Sequence, residues 1–374
     1  MSPHLHIVSF NVPFPADYGG VIDVYYRIRA LSEAGVQIHL HCYTYGRQSA
    51  PELEALCHEV HYYRRDTSPL RMLGRRPYIV ASRSNDELCS RLLKDDYPIL
   101  LEGLHCCDVL ERKEFRNRKV MVRAHNVESD YYRLLANAEH SPLRKLHLYT
   151  EARKLRRYEV PTLSLATAVF AISDNDAQTF ATMGLRNVQV VGASHPYDRV
   201  LSQVGRGSYA LFHGNLAVAE NYRAVIYLAD NLFSDGGIPF VVAGNHPPQW
   251  LRDKLAQYPD ITLFDTPDTD TMQRLVGDAQ VILLYTNQPT GLKLKLLHSL
   301  FAGRHCLANS AMVSGTPLAP LCIVADDVAS MRQALEHLMV TDFDAAMLKE
   351  RAERLAPLVS ANVNTPILKL LADD

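Results

Sequence analysis

The sequence has a single tryptophan, no two cysteines at CxxC spacing and no apolar run near the ~20 residues of a membrane-spanning helix. Residues 1–10 lack the basic-then-apolar order of a signal peptide. Seven cysteines is an odd number, so the expectation is reduced core thiols rather than a disulfide framework. Charge of either sign is not in excess: 39 Lys and Arg face 41 Asp and Glu, a net charge of -2. Dedicated nucleic-acid binding is excluded on that balance. The first glycine loop is neither GxGxxG nor a P-loop, which sets aside a dinucleotide or Walker site. Metal-ligand spacing is also lacking. His4 with His6 and His58 with His61 are the nearest approaches, and both lie outside the loops where chemistry is expected.

What is present is an apolar core and an alternating pattern. Hydrophobic residues make up 47% of 374, more than one core usually holds, so two domains are expected. Leu5–Phe10 reads as a strand, and a loop through Tyr18-Gly19-Gly20 follows. Val21, Val24, Tyr25, Ile28 and Leu31 then recur at helical spacing up to Gly35. Residues 36–42 read as the next strand, with further strands near 98–101, 119–124 and 168–172 and a basic helix over 143–160. A second series follows, with strands at 209–213, 238–243, 261–264, 281–285, 305–308 and 322–324. Helices are expected there at 219–233, 248–257, 269–278, 291–302 and 327–339. This is α/β, two Rossmann-like doubly wound domains, whose ligands bind at the carboxyl ends of the strands.

Those strand ends hold the candidate residues. Gly19 and Gly20 permit close backbone approach at a helix N-terminus, or make a plain tight turn. His125 ends an apolar strand within Arg123-Ala124-His125-Asn126-Val127-Glu128, where an imidazole can take a proton or bond a hydroxyl. Gly214 and Asn215 follow another strand, and Asn221 lies in the next helix. Thr290, Gly291, Leu292, Lys293, Lys295 and His298 span the start of the 291–302 helix, with Leu294, Leu297 and Phe301 as its buried stripe. Arg153, Lys154, Arg156 and Arg157 give the 143–160 helix a positive face, either solvated or docked on an anionic membrane. Leu143, Leu146, Tyr149, Ala152 and Leu155 form a stripe beside them.

Together these segments resemble the GT-B glycosyltransferases of the family 4 type (glycosyl transferases group 1), in a bacterial subgroup with an Arg-x-His-Asn-x-Glu segment. The segments that carry it run in family order, from the Tyr18-Gly19-Gly20 loop through 123–128, Tyr131-Tyr132 and 171–176 to His213-Gly214-Asn215-Leu216, Glu220-Asn221, 291–297 and Ala302-Gly303. The resemblance implies an acceptor-side domain over 1–195, a nucleotide-sugar domain over 196–355 and a tail, 356–374, crossing back to the first. The domains would face a central cleft. It implies transfer of a sugar from a nucleotide-diphosphate donor to a glycan or lipid-linked acceptor, with retention of anomeric configuration, in bacterial surface polysaccharide synthesis. No cofactor or metal is expected; the donor is a substrate. His125, Gly19 and Gly20 would be catalytic. Gly214, Asn215, Asn221, Thr290, Gly291, Leu292, Lys293, Lys295 and His298 would bind the donor. Tyr18, Arg123, Asn126 and Glu128 would lie on the acceptor side. The expected setting is the cytoplasm, with peripheral membrane contact at its inner face. Thr290 and His298 stand where many members carry two glutamates, and Asn215 and Asn221 where many carry Arg and Lys. That departure keeps a second reading open: a catalytically degenerate GT-B protein that binds a sugar nucleotide, a glycan or a partner transferase.

Overall fold

The computed structural model describes residues 2–139, 141–287 and 294–372. The chain divides into two units, one of Met1–Pro196 with Leu358–Asp374 and one of Tyr197–Pro357. No single helix among the described residues is long and apolar enough to cross a membrane.

Among the described residues the first unit is built on seven strands: β1 (His4–Ser9), β2 (Gln37–Thr44), β3 (Glu59–Arg64), β4 (Ile99–Glu102), β5 (Val120–Ala124), β6 (Ala168–Ala171) and β7 (Val188–Val190). They are parallel, in the order β3-β2-β1-β4-β5-β6-β7. Every residue of β4, β5 and β6 is buried, as expected for strands covered on both faces. One face packs Leu5, Ile7, Ile38 and Leu40 under Val24, Ile28 and Leu31 of helix α1 (Gly19–Glu33). Val363, Ile367 and Leu371, from the last part of the chain, complete that layer. The other face packs Val8, Leu101, Val122 and Val169 against Leu155 and Leu163 of the helix Pro142–Leu163. Each such side chain contributes roughly 1.5–3 kcal/mol by leaving water.

β3 and β7 were not expected from sequence. β3 mixes charged, aliphatic and aromatic residues and is mostly half-buried, and β7 has three residues, so neither offers the apolar run that marks the inner strands. β1 to β3 also carry histidines that bond to one another. Asp95 bonds His6 Nε2 at 3.0 Å, His6 Nδ1 meets His41 Nε2 at 2.9 Å, and His41 Nδ1 meets the Tyr63 hydroxyl at 2.8 Å. In parallel, His4 Nδ1 meets His39 Nε2 at 2.9 Å and His39 Nδ1 meets Glu59 at 2.6 Å. His61 meets the other Glu59 oxygen at 3.1 Å.

Among the described residues the second unit has six parallel strands in the order β10-β9-β8-β11-β12-β13. They are β8 (Ala210–His213), β9 (Phe240–Gly244), β10 (Ile261–Asp265), β11 (Val281–Leu284), β12 (His305–Ala308) and β13 (Ile323–Val324). Phe212, Val242, Val281 and Leu283 share a core with Ala224, Val225 and Leu228 of the helix Ala219–Leu232. The strand order reverses between β1 and β4 in one sheet and between β8 and β11 in the other. Those are the switch points where doubly wound sheets open a crevice at their carboxyl ends.

Candidate functional site

At the first switch point, five charged or ionisable side chains interlock out of water. Asp23 and Arg27 come from one face of α1, Glu102 ends β4, Arg123 lies in β5 and His125 follows it. Arg27 donates to Asp23 at 2.7 Å and to Glu102 at 3.2 Å. Arg123 donates to Asp23 at 2.9 Å, and the Ser194 amide donates to it at 2.7 Å. Two guanidiniums thus balance two carboxylates, which is how a fully buried charge cluster is tolerated. Burial raises the Asp23 carboxyl, but Arg123, Arg27 and His125 outweigh it and hold it at about 2. Arg123 gives its remaining donors to the carbonyls of Ala171, Val191 and Gly192, so it ties the sheet to the chain leaving it. Fully buried and with its donors spread over one carboxylate and three carbonyls, Arg123 suits a holding role.

His125 sits against this cluster. Its Nε2 lies 3.0 Å from Glu102 Oε2 and its Nδ1 lies 3.4 Å from Asp23 Oδ2. Both ring nitrogens therefore face carboxylates. Beside it stands His105, a residue that the sequence reading passed over. Gly103, at φ +85°, turns the chain there. A Cβ at Gly103 would lie 2.9 Å from His105 Nδ1 and 3.6 Å from His125 Cδ2, so only glycine fits. His105 Nδ1 is buried with no hydrogen-bond partner among the described residues. Burial, with Arg83 and His125 adding to it, keeps His105 well below the usual histidine range, so the imidazole is neutral. Phe10, after β1, packs 5.3 Å from the His105 ring and 5.5 Å from the His125 ring. Gly20 approaches the same Phe10 ring. Gly19 and Gly20 open α1, and Tyr18 before them is 41% exposed under the Arg47 guanidinium.

Asn126 and Glu128 lead into the helix Glu128–Ala138. Glu128 is buried, with the Asn126 side chain beside it. Burial and then the nearby Glu159 carboxylate push Glu128 up to about 8. Glu159, pushed up to about 7 by burial, accepts the amides of Glu128 and Ser129 and so caps that helix from its neighbour.

At the second switch point, Gly214 follows β8 with φ +155°. Its missing side chain makes room for Lys295: a Cβ there would lie 3.0 Å from Lys295 Nζ. Lys295 comes from the helix Leu294–Ala302, donates to Asn221 Oδ1 at 2.8 Å and lies 4.2 Å above the Phe212 ring. Asn221 donates to the Asn215 carbonyl at 2.9 Å, and Asn215 Oδ1 accepts the Ala217 amide at 3.0 Å. Gly214, Asn215, Asn221 and Lys295 are thus one group. His298 faces a different way, with Nδ1 2.5 Å from the Tyr197 hydroxyl and its ring 5.1 Å from that of His213. His213 bonds Ser299 at 3.0 Å and is held well below the usual range, by burial first. The helix buries Leu296, Leu300 and Phe301 rather than Leu294 and Leu297, which are half-buried. Thr290, Gly291, Leu292 and Lys293 lie outside the described residues.

Asp23, Glu102 and His125 have ligand atoms within 4.8 Å of one another, the spacing of a metal site. Arg27 and Arg123 already occupy those carboxylates, and a divalent cation would sit among two fixed positive charges. The donor set suits a neutral charge cluster rather than a metal centre.

No protein-family model matches the sequence. An uncharacterized 44.6 kDa protein in the cps region of Klebsiella pneumoniae is 24% identical over 329 residues, 83% of this chain and 84% of that protein. Among solved structures, Anabaena HepE in complex with UDP and glucose superposes with a TM-score of 0.65 at 10% identity, over 99% of this chain and 100% of that one. The lipopolysaccharide outer core galactosyltransferase WaaB superposes at 0.64 with 12% identity, over 98% and 99%. At such identities the likeness shows the fold, and the fold is that of the GT-B glycosyltransferases.

Proposed function

We propose that this protein transfers a sugar from a nucleotide-diphosphate donor to a glycan or lipid-linked acceptor in bacterial surface polysaccharide synthesis. The observation that carries the reading is Lys295, an ammonium brought to the strand-end glycine of the second unit in a chain of GT-B fold throughout. A structural neighbour bound to UDP and glucose, another that is a lipopolysaccharide galactosyltransferase, and a relative from a cps region all support it. In the reaction the bond from the anomeric carbon to the diphosphate oxygen breaks, and a bond to an acceptor oxygen forms. Negative charge gathers on the departing nucleoside diphosphate, and its freed oxygen takes up the proton that the acceptor hydroxyl gives up. Lys295, the Asn221 amide and the Gly214 backbone would meet that charge. Retention of configuration is what the family resemblance implies. In the first unit, His105 would offer the neutral imidazole to a hydroxyl, with His125 positioned beside it by Glu102 and Asp23.

Calorimetry with a panel of nucleoside diphosphates and their sugars tests this. Lys295→Ala should weaken nucleoside-diphosphate binding by roughly 10- to 150-fold, the worth of one charge-assisted bond, and leave the bare nucleoside unchanged. Equal binding by wild type and variant would end the donor-site reading. The two asparagines at positions where the family carries basic residues favour the second reading, a non-catalytic sugar-nucleotide or glycan binder. Tight binding with no turnover on any acceptor would select it.

A further inference from the structure

β12 and β13 bring two cysteines together beside a buried cation. Leu307 pairs with Ile323 and Ala308 with Val324, so Cys306 and Cys322 stand one step back along the same register. Neighbouring strands lie about 4.7–4.9 Å apart, within the ~4.4–6.8 Å that separates the Cα atoms of a disulfide. The two side chains already share a hydrogen bond. Cys306 is buried, whereas Cys322 is half-buried and leads into the edge strand.

Arg351, from the helix Ala345–Leu355, reaches the same place. It is buried, donates to the Gly303 carbonyl at 2.6 Å and to Ser202 Oγ at 3.1 Å, and lies 4.4 Å from the Phe343 ring. No carboxylate among the described residues pairs with it; the acidic groups that act on it are these two thiols. A buried guanidinium needs a counter-charge, and an ionised Cys306 supplies one. The hydrogen bond from Cys322 holds the Cys306 thiol below its usual range against burial, and Arg351 adds to it. The other six cysteines are all pushed up, five of them by burial first. His305 also faces Arg351, but burial first keeps it below the usual histidine range, so it adds no charge.

We propose that Cys306 and Cys322 are a reversible redox pair, joined as a disulfide by exchange with a low-molecular-weight disulfide such as oxidised glutathione. Cys322, the more accessible sulfur, passes the shared proton to Cys306 and attacks one glutathione sulfur. The glutathione disulfide bond breaks, and the first glutathione leaves with that proton. The Cys306 thiolate beside Arg351 then attacks Cys322 sulfur, and the second glutathione leaves as a thiolate that takes a proton from water. Two cysteines are oxidised and one glutathione disulfide is reduced to two thiols. The inference concerns the second unit alone and does not depend on the transferase reading.

Mass spectrometry of the full chain tests it. The protein is held at set ratios of glutathione disulfide to glutathione, quenched in acid, denatured, labelled with N-ethylmaleimide and digested. The peptides holding Cys306 and Cys322 should become joined, the other five of the seven cysteines should stay labelled, and dithiothreitol should reverse the change. Cys306→Ser should stop at a glutathione adduct on Cys322. Arg351→Gln should slow joining roughly tenfold, the loss of thiolate for each unit by which a thiol pKa rises, and Arg351→Lys should recover the rate. Circular dichroism reports whether each variant is folded; if neither arginine variant is, the wild-type result decides. No joining at any ratio, a glutathione adduct on wild-type Cys322 that persists, or joining of another pair such as Cys106 with Cys107 would overturn the inference. So would an unchanged rate in folded Arg351→Gln.

Discussion

Glu128 carries a proton where most carboxyls have lost theirs. A glutamate in an unfolded chain titrates near ~4.3, whereas burial and Glu159 hold this one at about 8. Between those values the folded protein binds a proton that the unfolded chain has released, so stability falls as pH rises through that window. Glu128→Gln keeps the shape and removes the charge. Calorimetry should find its melting temperature a few degrees above wild type near pH ~8–9, with the two converging near pH ~4. A constant difference at every pH would mean that charge is not the cause. At this scale the sequence showed His125 at a strand end but not what surrounds it. Asp23 and Arg27 sit four apart among Val24, Ile28 and Leu31, the apolar stripe of α1. Two opposite charges within a buried stripe were the available signal for the cluster. Glu102 and His105 gave no comparable one, because only the pairing of β4 with β1 and β5 brings them there.

The histidine-bearing edge of the first sheet behaves as an element in its own right. His6 and His41 are held below the usual range by burial first, with neighbouring histidines adding to it and Asp95 opposing it at His6. Arg118 on one side and Arg91 and His61 on the other face the same pair, and Tyr97 packs over it. Folded pKa values below the unfolded ~6.5 mean that the unfolded chain binds more protons once pH drops below that point. The edge is therefore expected to lose stability as pH falls from about 7 to about 5. His41→Gln should make the decline in melting temperature across that range shallower, even if the variant starts lower. A slope as steep as that of wild type would clear His41 of the effect. The inner strands were legible because parallel strands buried on both faces read as unbroken apolar runs. The edges of the first sheet, β3 and β7, were not, since half-buried or three-residue strands lose that mark.

For the molecule as a whole, alternating strands and helices were enough to read two parallel sheets. The order of strands within each was beyond sequence reasoning, because adjacency of β1 and β4 spans some ninety residues of chain with no local trace. The same applies to the segment after Leu358, which packs Ile367 and Leu371 among Leu5, Ile7 and Ile38. Asn364 also bonds Ser194 there at 3.1 Å. Ile367→Ala should cost about 2–5 kcal/mol, and hydrogen exchange should place the loss in β1, β2 and α1 while β8 to β12 keep their protection. Uniform loss over both sheets would show that the two units unfold as one.

That returning segment also sets an order on the ribosome. A first domain commonly folds while later residues are still being added, at about 5–20 residues per second. Here the layer over Leu5 and Ile7 stays unfinished until Ile367 and Leu371 emerge, after the whole second unit has been synthesised. The nascent chain thus carries an open apolar seam for tens of seconds at the slower of those rates. It is a site for a chaperone to hold, and a reason for the second unit to fold first.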